Sequence, residues 1–157
     1  MRFISDIEIR PAAVEDIPAI ARIGARFFDE AEWADVAEWD HDSICSTLRG
    51  MIADPNGIVL IAIREGVICG IAGGLVYPLY FNCNHITGQE LFWWVEPEAR
   101  KGVGAHLLDC LELAAMNAGA QSWAMIALDK VRPEAVGALY RRRGYRASEH
   151  SYIKRLG

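Results

Sequence analysis

The sequence predicts an α/β fold with a mixed sheet, in a single domain over residues 1–157. Three observations lead there. Some short apolar runs alternate with period two and others follow a helical period. The two kinds are interleaved along the chain in the order strand, two helices, three strands, helix, strand, helix, strand, which is the pattern of a layered α/β domain. A glycine turn at Gly102-Val103-Gly104 also joins a strand-like run directly to a helix-like one.

Ile7-Glu8-Ile9-Arg10 alternates and predicts the first strand. Ile17, Ile20, Ile23, Phe27 and Phe28 predict a helix over about 14–28. After an acidic stretch, Asp29–Asp42, a second helix is predicted over about 43–53. Asp54-Pro55-Asn56-Gly57 is a turn. Ile58–Arg64 and Val67–Tyr77 flank Glu65-Gly66 as the arms of a hairpin. Gly73-Gly74 inside the second arm marks a bulge or a close backbone approach.

Residues 78–87 read as a loop, and Glu90–Val95 as a strand ended by Pro97. A helix follows from Gly102 to about Asn117, closed by Gly119. Trp123–Leu128 is a further strand, and Pro133–Arg142 a short helix with proline near its start. Tyr145 to about Arg155 predicts one or two final strands, with a break near Ser148–His150.

Composition narrows the function. The chain is 52% hydrophobic and 24% charged, with a net charge of −5. A negative surface repels nucleic-acid phosphate and attracts cations, so no DNA partner is expected. No apolar run reaches the roughly 18 residues of a membrane helix, so no membrane partner is expected. Asp6 and Glu8 come too early for a signal peptide. Cys45, Cys69, Cys83 and Cys110 have no paired spacing, as free thiols of a cytoplasmic protein would. Cys83 near His85 supplies two metal ligands at most, so no metal site is expected.

The segment with chemical content runs from Glu90 to Leu108. Backbone N–H groups at a helix start lack intrahelical partners and converge on one spot. The helix dipole adds positive potential there. Gly102 and Gly104 have no Cβ, so a phosphate can approach closely. Alone, the tripeptide is read more simply as a turn with a helix cap. It lacks the third glycine of the dinucleotide fingerprint and the Gly-Lys-Ser/Thr of a P-loop.

Its surroundings are more specific. Val95-Glu96-Pro97 followed by Arg100-Lys101-Gly102-Val103-Gly104-Ala105 resembles motif A of the GNAT family of acetyl-CoA-dependent N-acetyltransferases. Leu139-Tyr140-Arg141-Arg142-Arg143-Gly144-Tyr145 is similar to that family's Leu-Tyr-x-x-x-Gly-Phe/Tyr segment. Two departures stand out. Arg100 lies two residues before Gly102 rather than three, and Pro133 replaces an asparagine often found before the tyrosine. Residues 89–95 also resemble phage-associated acetyltransferases.

The resemblance implies a mostly antiparallel central sheet flanked by helices, with acetyl-CoA as co-substrate. It implies a cofactor site at Trp94, Val95, Arg100, Lys101, Gly102, Val103, Gly104 and Ala105. It makes Glu90, at the head of the strand, the base that deprotonates the amine, with Glu96 a weaker choice. It makes Tyr140 the acid that protonates the departing thiolate. Dimers are common in that family, so a homodimer is an option here.

The acceptor is an amine-bearing small molecule or peptide. Asp29, Glu30, Glu32, Asp35, Glu38, Asp40 and Asp42 would draw a cation, with Trp33 and Trp39 as aromatic walls. The plainer alternative is a solvated acidic loop whose tryptophans pack on the core. Three readings compete: an active amine acetyltransferase, a non-catalytic acetyl-CoA-binding sensor or regulator, and an unrelated α/β protein with a structural glycine turn.

Overall fold

The structure is a computed structural model and describes residues 6–157. Strand β1 (Ile7–Pro11) leads through a 3₁₀ turn into helix α1 (Ile17–Glu30), and helix α2 (His41–Ala53) follows. Three long strands come next: β2 (Gly57–Arg64), β3 (Val67–Leu79) and β4 (Asn82–Val95). Helix α3 (Val103–Asn117), strand β5 (Ser122–Ala124) and helix α4 (Pro133–Arg142) complete the elements.

The sheet has the order β1-β2-β3-β4-β5. The first three pairings are antiparallel, and β5 joins β4 in parallel. Apolar residues alternate between the two faces, as the strand period requires. One face packs on α3 through Leu60, Ala62, Val95, Val103, Leu107 and Leu111. The other packs on α1 and α2 through Ile20, Ile23, Leu48, Ile61, Ile71 and Trp94. Each such side chain, when fully buried, contributes about 1.5–3 kcal/mol. Helix α2 is capped by Asp40, whose carboxylate accepts the Ser43 N–H at 2.7 Å.

Three predicted segments differ. Residues 78–87 are not a loop: β4 begins at Asn82, after a tight turn at Tyr80-Phe81. Pro78 and the Asn82–Asn84 stretch hid this, because they mark an irregular register rather than the end of pairing. The strand predicted at Trp123–Leu128 stops at Ala124. Residues 145–155 form no strand; Tyr152, Ile153 and Leu156 are exposed. Their alternation finds no strand partner, because β5 pairs only with β4.

The predicted irregularity at Gly73-Gly74 is present. Gly73 faces Phe92 and Gly74 faces Glu90, so Leu91 is the extra residue of a bulge on β4. Beyond it β4 and β5 part. Their ladder covers only Thr87–Gln89 against Ser122–Ala124. The Trp123 ring lies across the face of β4 onto β3: a Cβ on Gly88 would lie 2.5 Å from it, and one on Gly74 2.6 Å. Among the described residues, no helix is long and apolar enough to cross a membrane.

Candidate active site

The parting of β4 from β5 opens a cavity of about 290 Å³. One wall is the end of β4 and the start of α3: Glu90, Trp93, Trp94, Val95, Arg100, Gly102, Gly104 and Ala105. The other is Ile126, Leu128 and α4, with Arg132, Leu139 and Arg142. Six of the eight predicted cofactor residues therefore lie on one wall. Lys101 is exposed in the turn and off the wall. The Val103 side chain is fully buried in the core, and its N–H donates to the Arg100 carbonyl at 3.0 Å.

The helix start is built for close approach. Gly102 has φ of 88°, a left-handed conformation that glycine adopts freely. The Trp93 indole N–H donates to the Gly104 carbonyl at 3.0 Å and ties the helix start to β4. Gly104 and Ala105 occupy the first turn, where N–H groups have no intrahelical acceptor. Arg100 Nε donates to the Val95 carbonyl at 3.0 Å, and its guanidinium lies 4.6 Å from the Trp94 ring centre. The short turn thus uses Arg100 to fasten the strand end while keeping it on the cavity wall. Arg132 and Arg142 add positive charge from the opposite side. The Trp94 indole N–H is buried without a partner, a donor left over on a residue of the cavity wall. Glycine cradle, free amides and arginines on both sides fit a diphosphate-bearing ligand such as acetyl-CoA.

Glu90 is 5% exposed. Its Oε2 accepts the Ile126 N–H at 3.0 Å, a side chain standing where the strand ladder has stopped. Burial pushes its carboxyl up to about 7, and the Ile126 N–H partly offsets this. A carboxyl that titrates near neutrality is suited to accept a proton from an ammonium.

Tyr140 is buried between Trp93 and Tyr145, at ring-centre distances of 5.9 and 5.6 Å. Its hydroxyl donates to the Ile126 carbonyl at 2.6 Å. It does not reach the cavity wall. Burial, then the charge of Glu90, raises its pKa, so it stays protonated. Glu96, the weaker candidate base, is buried, and its Oε2 accepts from Arg26 of α1 at 2.5 Å. His85 pairs with Ser122 Oγ at 2.9 Å rather than with Cys83. Of the arginines that follow Tyr140, Arg142 reaches the cavity, Arg143 pairs with Asp109, and Arg141 and Arg146 are exposed.

The wall contributed by Phe27, Ile126, Leu128, Val131, Arg132, Ala135, Val136 and Leu139 was not predicted. Only tertiary packing brings those side chains to the glycine turn. The Pro133 departure and the Leu139-Tyr140 segment were the sequence signals near them.

Comparison with known proteins places this geometry. The family model for the acetyltransferase (GNAT) family matches residues 18–145. The chain belongs to that family. It is accordingly an acetyl-CoA-dependent acyltransferase, with acetyl-CoA as co-substrate. No curated protein matches the sequence.

Among solved structures, the fold is similar to a predicted acetyltransferase from Clostridium acetobutylicum determined with acetyl-CoA. That likeness has a TM-score of 0.74 and 20% identity over 96% of each chain. It is similar to an aminoglycoside acetyltransferase from an uncultured soil metagenomic sample, with a TM-score of 0.72 and 19% identity over 99% of each chain. It is also similar to a ribosomal-protein-alanine N-acetyltransferase from Brucella melitensis, with a TM-score of 0.70 and 20% identity over 96% of this chain and 99% of that one. At such identities the likeness speaks for the fold. The phage-associated resemblance gains no support from these relatives.

Proposed function

We propose that this chain, as one domain, N-acetylates a primary amine by direct transfer within a ternary complex. The observation that carries the reading is Glu90, a buried carboxyl on the cofactor cavity wall whose pKa is pushed up to about 7. Acetyl-CoA supplies the acetyl group as a thioester. Gly102, Gly104 and Ala105 offer backbone donors to its phosphates, and Arg100, Arg132 and Arg142 complement their charge.

Glu90 takes one proton from the acceptor ammonium. The freed amine forms the N–C bond as the C–S bond breaks. Tyr140 gives its proton to the sulfur and regains one from the nitrogen through water. Glu90 returns its proton to solvent, so each turnover releases one proton overall. For Tyr140 this role requires its hydroxyl to exchange the Ile126 carbonyl for the sulfur; in its present position it holds Ile126 in place. Among the described residues, β4 has no strand partner on its β5 side beyond Gln89, which leaves backbone N–H groups for the developing oxyanion.

The free thiols of Cys45, Cys69, Cys83 and Cys110 support a cytoplasmic setting. Two-substrate initial rates test the mechanism. Intersecting double-reciprocal lines support direct transfer, and parallel lines indicate a covalent acyl-enzyme instead. Binding of acetyl-CoA without turnover of any amine would favour the sensor reading.

A further inference from the structure

A second cavity, of about 280 Å³, lies between α1, α2 and the sheet. We propose that it seats the apolar body of the acceptor, and that the acceptor is a small primary amine carrying one aromatic ring. This rests on the acyltransfer reading above and gives that reading a substrate class.

Position is the first support. Phe27 lines both cavities, so they meet at one side chain. Phe27 stacks on Trp94 of the cofactor wall at a ring-centre distance of 5.5 Å. The β4 bulge divides the strand between the two spaces: Glu90 faces the first, while Leu91 and Phe92 floor the second. In this proposal the amine of a ring held in the second cavity extends past Phe27 into the first, which Glu90 lines.

The second support is chemical. The walls are rings and aliphatic chains, with Phe28, Trp33 and Trp39 closing the outer side. Phe28 and Trp39 stack at 5.6 Å. Thr47 supplies the one side-chain hydroxyl of the lining. Leu91 is 47% exposed on the cavity floor, an apolar surface for a ligand to cover. A polyhydroxylated amine would set its hydroxyls against these walls without partners. The volume is near the lower end of small-molecule sites, which span roughly 300–1,000 Å³.

The acidic stretch fits the expected part in this proposal. Asp29, Glu32 and Asp35 are exposed and off the wall, whereas the tryptophans between them turn inward. The carboxylates attract the ammonium from outside, and the rings receive the rest of the molecule.

The test is calorimetric titration of the protein with 2-phenylethylamine, spermidine and sisomicin, paired with turnover of each and a separate titration with acetyl-CoA. The expected result is binding of 2-phenylethylamine and a kcat/KM at least tenfold above the other two. Thr47→Phe, on an exposed helix position, fills the cavity mouth and should raise the KM for 2-phenylethylamine at least tenfold with acetyl-CoA affinity unchanged. Gly24→Leu, pointing at Trp39, should act alike. Normal acetyl-CoA binding with equal or better turnover of spermidine or sisomicin overturns the acceptor assignment alone. So does an unchanged KM in both folded variants, or no binding of 2-phenylethylamine. Failure to bind acetyl-CoA overturns the acyltransfer reading as well.

Discussion

Glu90 and Tyr140 hold Ile126 from two sides: its N–H donates to the Glu90 carboxylate at 3.0 Å, and its carbonyl accepts from the Tyr140 hydroxyl at 2.6 Å. The strand predicted at 123–128 ends at Ala124, and these two side chains take over where the ladder stops. The same residues that keep the cavity open are the ones assigned to proton transfer.

Glu90 makes both activity and stability depend on pH. Its carboxyl is raised from 4.5 to about 7 in the folded protein, so the folded state holds this proton more tightly than the unfolded chain. Its stability contribution is present below 4.5 and is lost as pH rises through about 7. The whole effect is at most about 3 kcal/mol. Turnover should move the other way, rising with pH as the base ionises. Glu90→Gln can still accept the Ile126 N–H, so it should remove both dependences and cut kcat by about 10²-fold or more. Thermal melts and rate profiles between pH 5 and about 9 check this; an unchanged profile in the variant removes Glu90 as the base.

Tyr140→Phe deletes one hydrogen bond. Stability should fall by about 0.5–1.5 kcal/mol. Turnover should fall by about 10²-fold, much more than acetyl-CoA affinity. Denaturant melts with steady-state kinetics separate the two effects. Unchanged turnover would leave Tyr140 only the task of positioning Ile126.

The seat of the Trp123 ring across β4 depends on glycine at position 88. Gly88→Ala places a methyl 2.5 Å from the Trp123 ring and 2.9 Å from the Leu75 carbonyl. The expected loss is about 1–3 kcal/mol. Repeating it in a Trp123→Ala background should recover part of that loss, because the two sites share one contact. Additive losses in the double-mutant cycle would contradict this contact.

These particulars show what could be read before the fold was known. The glycine turn at Gly102 and Gly104 was legible because a strand, a tight turn and a helix are contiguous in the chain, and local chemistry specifies them. The facing wall at Val131 and Arg132 was not, since only tertiary packing brings it to the turn. Gly74 and Gly88 looked like ordinary strand irregularities, because nothing in their neighbourhood points to Trp123. Glu90 was chosen by resemblance, whereas its burial and its bond to Ile126 come from the splay of two strands. At residues 145–155 the alternation was real, but period alone cannot supply a neighbouring strand.

The central claim is that the turn at Gly102–Gly104 cradles acetyl-CoA, and calorimetric titration tests it most directly, with free adenine nucleotide as control and Gly104→Glu as the blocked variant. Gly104 lines the cavity and a Cβ there already lies 3.3 Å from Trp93, so a glutamate adds bulk and negative charge at the helix start. The prediction is micromolar binding of acetyl-CoA, lost or weakened at least tenfold in the variant, with an unchanged melting profile. No binding at millimolar acetyl-CoA, or equal binding by a folded Gly104→Glu protein, would contradict it.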